Sequence, residues 1–213
     1  RGVVFSSTTS LMVSKEVKAR ERYETVVLNA AVDYGDPRNI YGITKKAAER
    51  VCCEDSNVSV AILRCSRFFV EDAYDTSTQQ SERSVQKTNG NMKANEIFCG
   101  TRAALEDVLL AHVVALVRIS QCQEAEGRQL LGPLIISSVS PLLESFDKGA
   151  HHRVGETQLY MTLNWSAPDH GPRLYDSREA WETLGCSPRW NFDRLLREFE
   201  EGKQVDVIRD GLY

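Results

Sequence analysis

Several features that would define a function class are missing from this sequence. No apolar run approaches the roughly 18 consecutive residues that a membrane-spanning helix requires. Lys and Arg are scattered among acidic residues and the formal net charge is −4, so the basic face of a nucleic-acid-binding protein is missing as well. We therefore expect neither a membrane nor a nucleic acid as a partner.

Cysteine and histidine are present but form no metal-binding pattern. None of the six cysteines belongs to a C-x-x-C pair, and the adjacent Cys52 and Cys53 are poorly spaced to share one ion. His151 and His152 lie in a polar stretch without matching ligands, so no metal site is predicted. The spacing favours reduced, mostly buried thiols in a cytoplasmic protein. The cysteines are Cys52, Cys53, Cys65, Cys99, Cys122 and Cys186.

The apolar segments alternate between strand and helix patterns. With 42% hydrophobic and 26% charged residues among 213, the chain has the composition of a globular protein with one well-buried core or slightly more. The order strand, helix, strand is typical of a parallel sheet with crossover helices, so an α/β fold is predicted. Strands are expected at 3–5, 58–63 and 134–138. Helices are expected at 38–54, where Asp36 and Pro37 mark the start, and at 103–119.

Other segments give weaker signals. Residues 11–38 are mixed and loop-like, and the almost wholly polar residues 73–92 predict a long loop or a disordered insertion. Near the end, Asp176 is a candidate cap for a helix at about 177–184, which Gly185 would close. A last helix is expected at about 192–201.

Tyr41 and Lys45 are the first candidates for chemistry. On a helix, residues i and i+4 share a face, so the phenol and the ammonium project into the same space. A free phenol has a pKa of about 10 and is a poor base at neutral pH, but a nearby cation favours the phenolate that proton transfer requires. Gly42 costs roughly 1 kcal/mol in a helix interior, so we expect another group to approach closely there. A Tyr and a Lys at this spacing also occur by chance in many helices.

A run of hydroxyl side chains follows the first predicted strand. In a parallel sheet the carboxyl ends of the strands line the ligand crevice. Thr8 is therefore expected to bond a substrate oxygen while Tyr41 exchanges its proton. The alternative is that residues 6–10 form an ordinary Ser/Thr-rich turn.

Together these segments resemble the extended short-chain dehydrogenases. The order V-V-F-S-S-T-T-S, then N-I-Y-G-I-T-K-K-A-A-E, then A-I-L-R-C-S-R-F-F is similar to the NAD-dependent epimerase/dehydratase family. Two later segments, R-A-A-L-E-D-V-L-L-A-H and A-W-E-T-L-G-C-S-P-R-W-N-F, are similar to that family too. The resemblance implies the C-terminal part of a doubly wound, Rossmann-type parallel sheet at residues 1–140, and a smaller substrate-side lobe with C-terminal helices at 141–213.

The resemblance also implies which residues serve the cofactor. Tyr41 would be the general acid and base, and Lys45 would favour its phenolate and hold the nicotinamide ribose of NAD, with NADP as the alternative. Ser7 would lie at the strand end and Cys65 beside the nicotinamide.

Three residues are implied on the substrate side. Thr8 would orient the reacting hydroxyl, while Arg67 and Asn95 would contact a sugar or nucleotide-sugar. A homodimer is compatible with this assignment.

Two features of the family are missing. The sequence has no glycine-rich phosphate loop of the form G-x-x-G-x-x-G, and no acidic residue after a second strand to hold the adenosine ribose. A typical relative would need roughly a hundred more residues upstream to supply them. We therefore expect a truncated chain with little NAD affinity of its own. Residues 9–40 are also longer than the family's usual spacing between the hydroxyl and Tyr41, so this loop is expected to cover the site differently.

The predicted activity is hydride transfer between a hydroxyl-bearing carbon and the nicotinamide, with Tyr41 taking or returning the hydroxyl proton. Epimerase, dehydratase and reductase remain alternatives. The rival hypothesis is a truncated, non-catalytic remnant or binding protein, which the missing glycine loop favours. A dinucleotide-sensing regulator is the weaker third hypothesis, because such proteins often lack the Tyr/Lys pair.

Overall fold

The computed structural model describes residues 2–54, 58–69, 96, 99–121, 129–147, 173–191 and 194. The predicted insertion at 73–92 and most of the predicted last helix lie outside these residues. In chain order the elements are β1 (Gly2–Thr8), a 3-10 turn (Thr9–Met12), α1 (Lys15–Arg20), β2 (Val26–Leu28), α2 (Ile40–Glu54), β3 (Ser59–Cys65), β4 (Arg67–Phe69), β5 (Arg102–Ala104), α3 (Leu105–Gln121), β6 (Leu130–Ile136), α4 (Leu142–Asp147), β7 (Arg173–Tyr175) and α5 (Arg178–Leu184).

Three parallel strands form the main sheet, in the order β1-β3-β6. Five consecutive residues of β3, from Ser59 to Leu63, are buried, which is the pattern of a central strand covered on both faces. The register pairs Thr8 with Cys65 and Cys65 with Ile136. The carboxyl ends of the three strands therefore meet at one edge of the sheet.

Helices cover the sheet on both faces. Because side chains alternate along a strand, Ser6 points to His112 on α3 while Ser7 points to Glu49 on α2. On the α3 face, Leu63 and Ile136 pack into a core with α3 and α5. The α/β fold predicted from the strand and helix order is confirmed, and so is the doubly wound parallel sheet that the resemblance implied.

The opposite face carries a second, smaller core. Ile135 of β6 packs there with residues of the 3-10 turn, α1, β2 and β7. The strand β2 pairs in parallel with β7, and Val26 lies opposite Arg173. The prediction that residues 11–38 are loop-like was therefore wrong. Elements of six and three residues are too short to produce a visible periodicity, and Ser14, which caps α1 by accepting from the Val17 amide at 3.2 Å, was the available signal.

Two helix starts differ from the predictions. The helix α2 begins at Ile40 because the Asn39 carboxamide oxygen accepts from the Gly42 amide at 2.7 Å and caps it. At α5 the capping position is Ser177, whose side chain makes no cap bond. The predicted cap Asp176 does accept from the Arg178 amide at 3.2 Å, and it also binds the Arg178 guanidinium at 2.6 Å and 2.9 Å. The predicted closure at Gly185, which has a left-handed φ of 68°, is confirmed.

The helix α5 packs into the same core as α3. Its Trp181 is buried and donates its indole N–H to the Ser137 carbonyl oxygen at 2.9 Å. A separate substrate-side lobe beginning at residue 141 stays a prediction. Among the described helices, none has the length and apolar character needed to cross a membrane.

Replacing Leu63 with alanine tests the central role of β3. Leu63 is fully buried, so we expect Leu63→Ala to lower the free energy of unfolding by about 2–5 kcal/mol, measured by chemical denaturation. The matched control is Leu109→Ala on α3, where the side chain is 57% exposed and the expected change is within about 0.5 kcal/mol. Equal effects at the two positions would contradict this assignment of the core.

Candidate functional site

The candidate site lies where α2 begins beside the carboxyl end of β1. Lys45, one turn into α2, places its Nζ 2.6 Å from the Ser6 carbonyl oxygen, to which it donates. The same ammonium lies 5.0 Å from the Phe5 ring centroid and 5.9 Å from that of Tyr41. One cation therefore joins the helix to the strand and stands next to the phenol.

Tyr41 is in the first turn of α2 and is 52% exposed. Its ring contacts Lys45, and its backbone carbonyl accepts from the Thr44 hydroxyl at 2.9 Å. An exposed phenol beside a cation is a group that can exchange a proton with a bound hydroxyl. The expected i, i+4 pairing of Tyr41 and Lys45 is present.

Gly42 allows α2 to contact the 3-10 turn closely. A Cβ added at this position would lie 2.7 Å from the Cβ of Pro37 and 3.1 Å from the Ser10 carbonyl oxygen. The close approach predicted from a glycine beside Tyr41 is confirmed, and the approaching groups are protein atoms.

Thr8 is buried at the end of β1, and its hydroxyl is bonded locally. The Oγ1 accepts from the Ser10 amide at 3.2 Å and donates to the Ser10 hydroxyl at 3.2 Å. Thr8 therefore caps the 3-10 turn. A hydroxyl oxygen has two lone pairs, so this oxygen keeps the capacity to accept one further hydrogen bond.

A buried charged network holds the other side of the same strand end. The Ser7 hydroxyl donates to Glu49 at 2.5 Å, and Arg64 donates to both oxygens of that carboxylate, with Nη2 at 2.8 Å and Nε at 3.0 Å and 3.3 Å. Arg64 also reaches the Ala30 carbonyl at 3.0 Å. The bidentate pairing ties α2, β1, β3 and the loop after β2 together.

This network was not predicted from the sequence. Two signals were available: Glu49 stands one turn after Lys45, and Arg64 is a charged residue inside an apolar strand.

Cys65 lies beside Thr8 across the strand pair. Burial raises the pKa of its thiol to about 12, and the nearby Lys45 cation only partly offsets this. The thiol is consequently neutral at physiological pH, and any contact it makes with a ligand is that of a small apolar group.

The residues predicted on the substrate side lie further along. Arg67, at the start of β4, has an exposed side chain whose Nη1 is 3.6 Å from Glu96. The same carboxylate pairs with the buried Arg102. Asn95 lies outside the described residues. In the described part of the chain no group of three or more His, Cys, Asp or Glu side chains is arranged to hold a metal ion.

Comparison with known proteins identifies the fold. No protein-family model and no curated protein sequence matches the chain. The solved structure of UDP-N-acetylglucosamine 4-epimerase from Bacillus cereus matches with a TM-score of 0.51 at 16% identity, over 99% of this chain and 61% of that one. At this identity the likeness establishes a shared Rossmann-type α/β fold. The fold that the sequence resemblance implied is therefore confirmed.

Two further solved structures are similar at lower scores. ADP-L-glycero-D-manno-heptose-6-epimerase from Helicobacter pylori has a TM-score of 0.49 at 14% identity, over 95% of this chain and 59% of that chain. A short-chain dehydrogenase/reductase superfamily protein from Agrobacterium tumefaciens, solved with bound NAD, has a TM-score of 0.49 at 15% identity, over 98% and 67%. The chain thus spans about six tenths of the length of the two epimerases.

Gly42→Ala tests the contact between α2 and the 3-10 turn. Alanine favours a helix over glycine by about 1 kcal/mol, but an overfilled contact costs about 1–3 kcal/mol, and the groups at position 42 include backbone. We expect a net loss of stability in denaturant titration. Thr44→Ala, on an exposed position of the same helix, should leave stability unchanged or raise it. A Gly42→Ala variant more stable than the parent would contradict the close contact.

Thiol alkylation tests the environment of Cys65. With a pKa of about 12, only about one Cys65 in ten thousand is the reactive thiolate at pH 8. Iodoacetamide should modify the exposed Cys53 at least about a hundred times faster, as followed by peptide mass spectrometry. In urea both should react at similar rates. Rapid modification of native Cys65 would show that its thiol is neither buried nor neutral.

Proposed function

We propose that this chain carries the catalytic half of an NAD-dependent oxidoreductase of the extended short-chain dehydrogenase type, an epimerase or dehydratase that acts on a sugar or nucleotide-sugar. The observation that carries the proposal is the position of the Lys45 ammonium. It contacts the Tyr41 ring and donates to the Ser6 carbonyl oxygen near the end of β1, at the carboxyl edge of a parallel sheet. Ligands of open α/β sheets bind at this edge.

The residues present fit one end of the cofactor. Lys45 has three N–H donors, of which one is given to Ser6, so the ammonium is suited to the hydroxyls of the nicotinamide ribose. NAD, when bound, supplies the hydride acceptor and donor. The glycine-rich loop that would receive the pyrophosphate is not in this sequence, so these residues fit the nicotinamide end alone.

Tyr41 moves the proton in the proposed mechanism. Its exposed phenol would take the proton from a substrate hydroxyl as the carbon that bears this hydroxyl is oxidised, and would return the proton when the same carbon is reduced. Lys45 would favour the phenolate by its charge. Thr8 would donate its own hydroxyl hydrogen to the same substrate oxygen, in place of its bond to the Ser10 hydroxyl, because the single hydrogen of the substrate hydroxyl goes to Tyr41. Cys65 would present an uncharged surface.

Two observations favour a second function. The missing glycine loop and the local bonding of Thr8 suit a chain that keeps the fold but does not catalyse. The Tyr41–Lys45 contact supports the first function, which requires an exposed phenol beside a cation. The substrate-side roles of Arg67 and Asn95, a homodimer and a cytoplasmic location all stay predictions.

Tyr41→Phe tests the proposal in the protein joined to a glycine-loop segment and supplied with NAD. We expect turnover to fall by about two to four orders of magnitude, because a general acid and base is removed, while NAD affinity changes little. Lys45→Met should impair both turnover and NAD affinity. Stopped-flow absorbance of the nicotinamide and calorimetric titration measure the two quantities.

The matched control is Tyr23→Phe, because Tyr23 is 87% exposed and belongs to the turn after α1. Near-normal turnover in Tyr41→Phe would remove the catalytic dyad and leave the non-catalytic hypothesis. Micromolar NAD binding to residues 1–213 alone would instead show that the pyrophosphate is held without a glycine loop.

A further inference from the structure

Ser6 has a contact that the proposed oxidoreductase does not use. Its side chain leaves β1 on the α3 face, opposite Ser7, and its Oγ lies 2.5 Å from Nε2 of His112. The two residues are 106 positions apart, so the fold alone brings them together.

The second ring nitrogen determines the direction of this hydrogen bond. Nδ1 of His112 is 2.7 Å from the Val108 carbonyl oxygen. A carbonyl only accepts, so Nδ1 carries the proton and Nε2 of the neutral ring carries a lone pair. The Ser6 hydroxyl is consequently the donor to Nε2. A hydroxyl, a base and a group that orients the base are the three parts of an activated nucleophile.

The environment of Ser6 differs from that of its neighbours. Ser7 and Thr8 are buried, and their hydroxyls donate to Glu49 and Ser10, whereas Ser6 is exposed. The Lys45 ammonium, 2.6 Å from the Ser6 carbonyl oxygen, places a positive charge at the same residue. Charge of that sign stabilises an oxyanion that develops nearby.

We propose that Ser6 is a nucleophile for acyl transfer from small esters, with His112 as its general base. The Ser6 oxygen forms a bond to the ester carbonyl carbon while its proton passes to Nε2 of His112. The C–O bond to the alcohol then breaks, and the departing oxygen takes that proton. A water repeats the sequence on the acyl-serine and releases the carboxylic acid, so the protein returns unchanged.

The activity needs no nicotinamide, phenol or phosphate loop. It is therefore open to the 213-residue chain as it stands, and its failure would leave the oxidoreductase proposal untouched.

A fluorophosphonate probe tests the nucleophile directly. Attack by Ser6 forms an O–P bond and releases fluoride, with the proton passing through His112 to solvent. We expect one equivalent of label on the native chain, located at Ser6 by fragmentation of the peptide that spans residues 2–15. Hydrolysis of p-nitrophenyl acetate by the same chain should stop as the label accumulates.

Three variants separate nucleophile from base. Ser6→Ala should abolish labelling, and His112→Ala should slow it by about a hundredfold or more. Ser120→Ala is the matched control, because Ser120 is an exposed serine of α3 whose hydroxyl donates to the Leu116 carbonyl at 2.7 Å, and it should label like the parent.

If the first two variants fail to fold, the proposal is tested on the parent chain by comparing the labelling of Ser6 in native and urea-treated samples. Label at Ser6 that is lost in urea supports the proposal, since it requires the folded His112 contact. Label at another residue, equal labelling in urea, or none on the native chain overturns it and leaves the Ser6–His112 contact a structural tie between β1 and α3.

Discussion

The positions of Tyr41 and Lys45 depend on how α2 is attached to the end of β1. Two charged side chains one turn apart make the attachment: Lys45 donates to the Ser6 carbonyl, and Glu49 accepts from the Ser7 hydroxyl while pairing with Arg64. Breaking a buried ion pair from one side costs about 3–5 kcal/mol, so the Glu49 attachment is the stronger of the two. Tyr41 has few contacts of its own and is positioned because the helix that carries it is held.

Strand geometry gives consecutive hydroxyls different partners. Ser6 faces α3, Ser7 faces α2, and Thr8 turns back onto the first residues of the 3-10 turn. A run of similar residues therefore contributes one exposed hydroxyl on an imidazole, one buried structural donor and one cap. Composition cannot separate these roles, because they depend on the alternation of side chains between the two faces of the sheet and on which helix covers each face.

The parts of the site that could be predicted from the sequence are those formed by neighbours in the chain. Tyr41 and Lys45 are one helical turn apart. The glycine between them, Gly42, predicts the close contact of α2 with the 3-10 turn that the structure shows. Glu49 with Arg64, and Ser6 with His112, are joined across crossover connections. A single sequence can mark one member, as the charged Arg64 in an apolar strand does, but it does not show which residue is the partner. The parallel α/β fold was predictable because it rests on element order. The short elements α1 and β2 were not, because they owe their form to packing against β7 and β6.

The proposed function assigns chemistry and cofactor affinity to different segments of a chain. A dinucleotide gains most of its binding from a pyrophosphate placed on backbone amides at a helix N-terminus, and no glycine-rich loop in this sequence offers that arrangement. In the proposed oxidoreductase the Tyr41–Lys45 pair would contribute position and charge at the reacting end, where an added interaction changes rate more than affinity. Since the two contributions come from separate segments, the pair can keep its geometry in a chain that binds NAD poorly. Weak affinity alone therefore says little about whether the catalytic arrangement is intact.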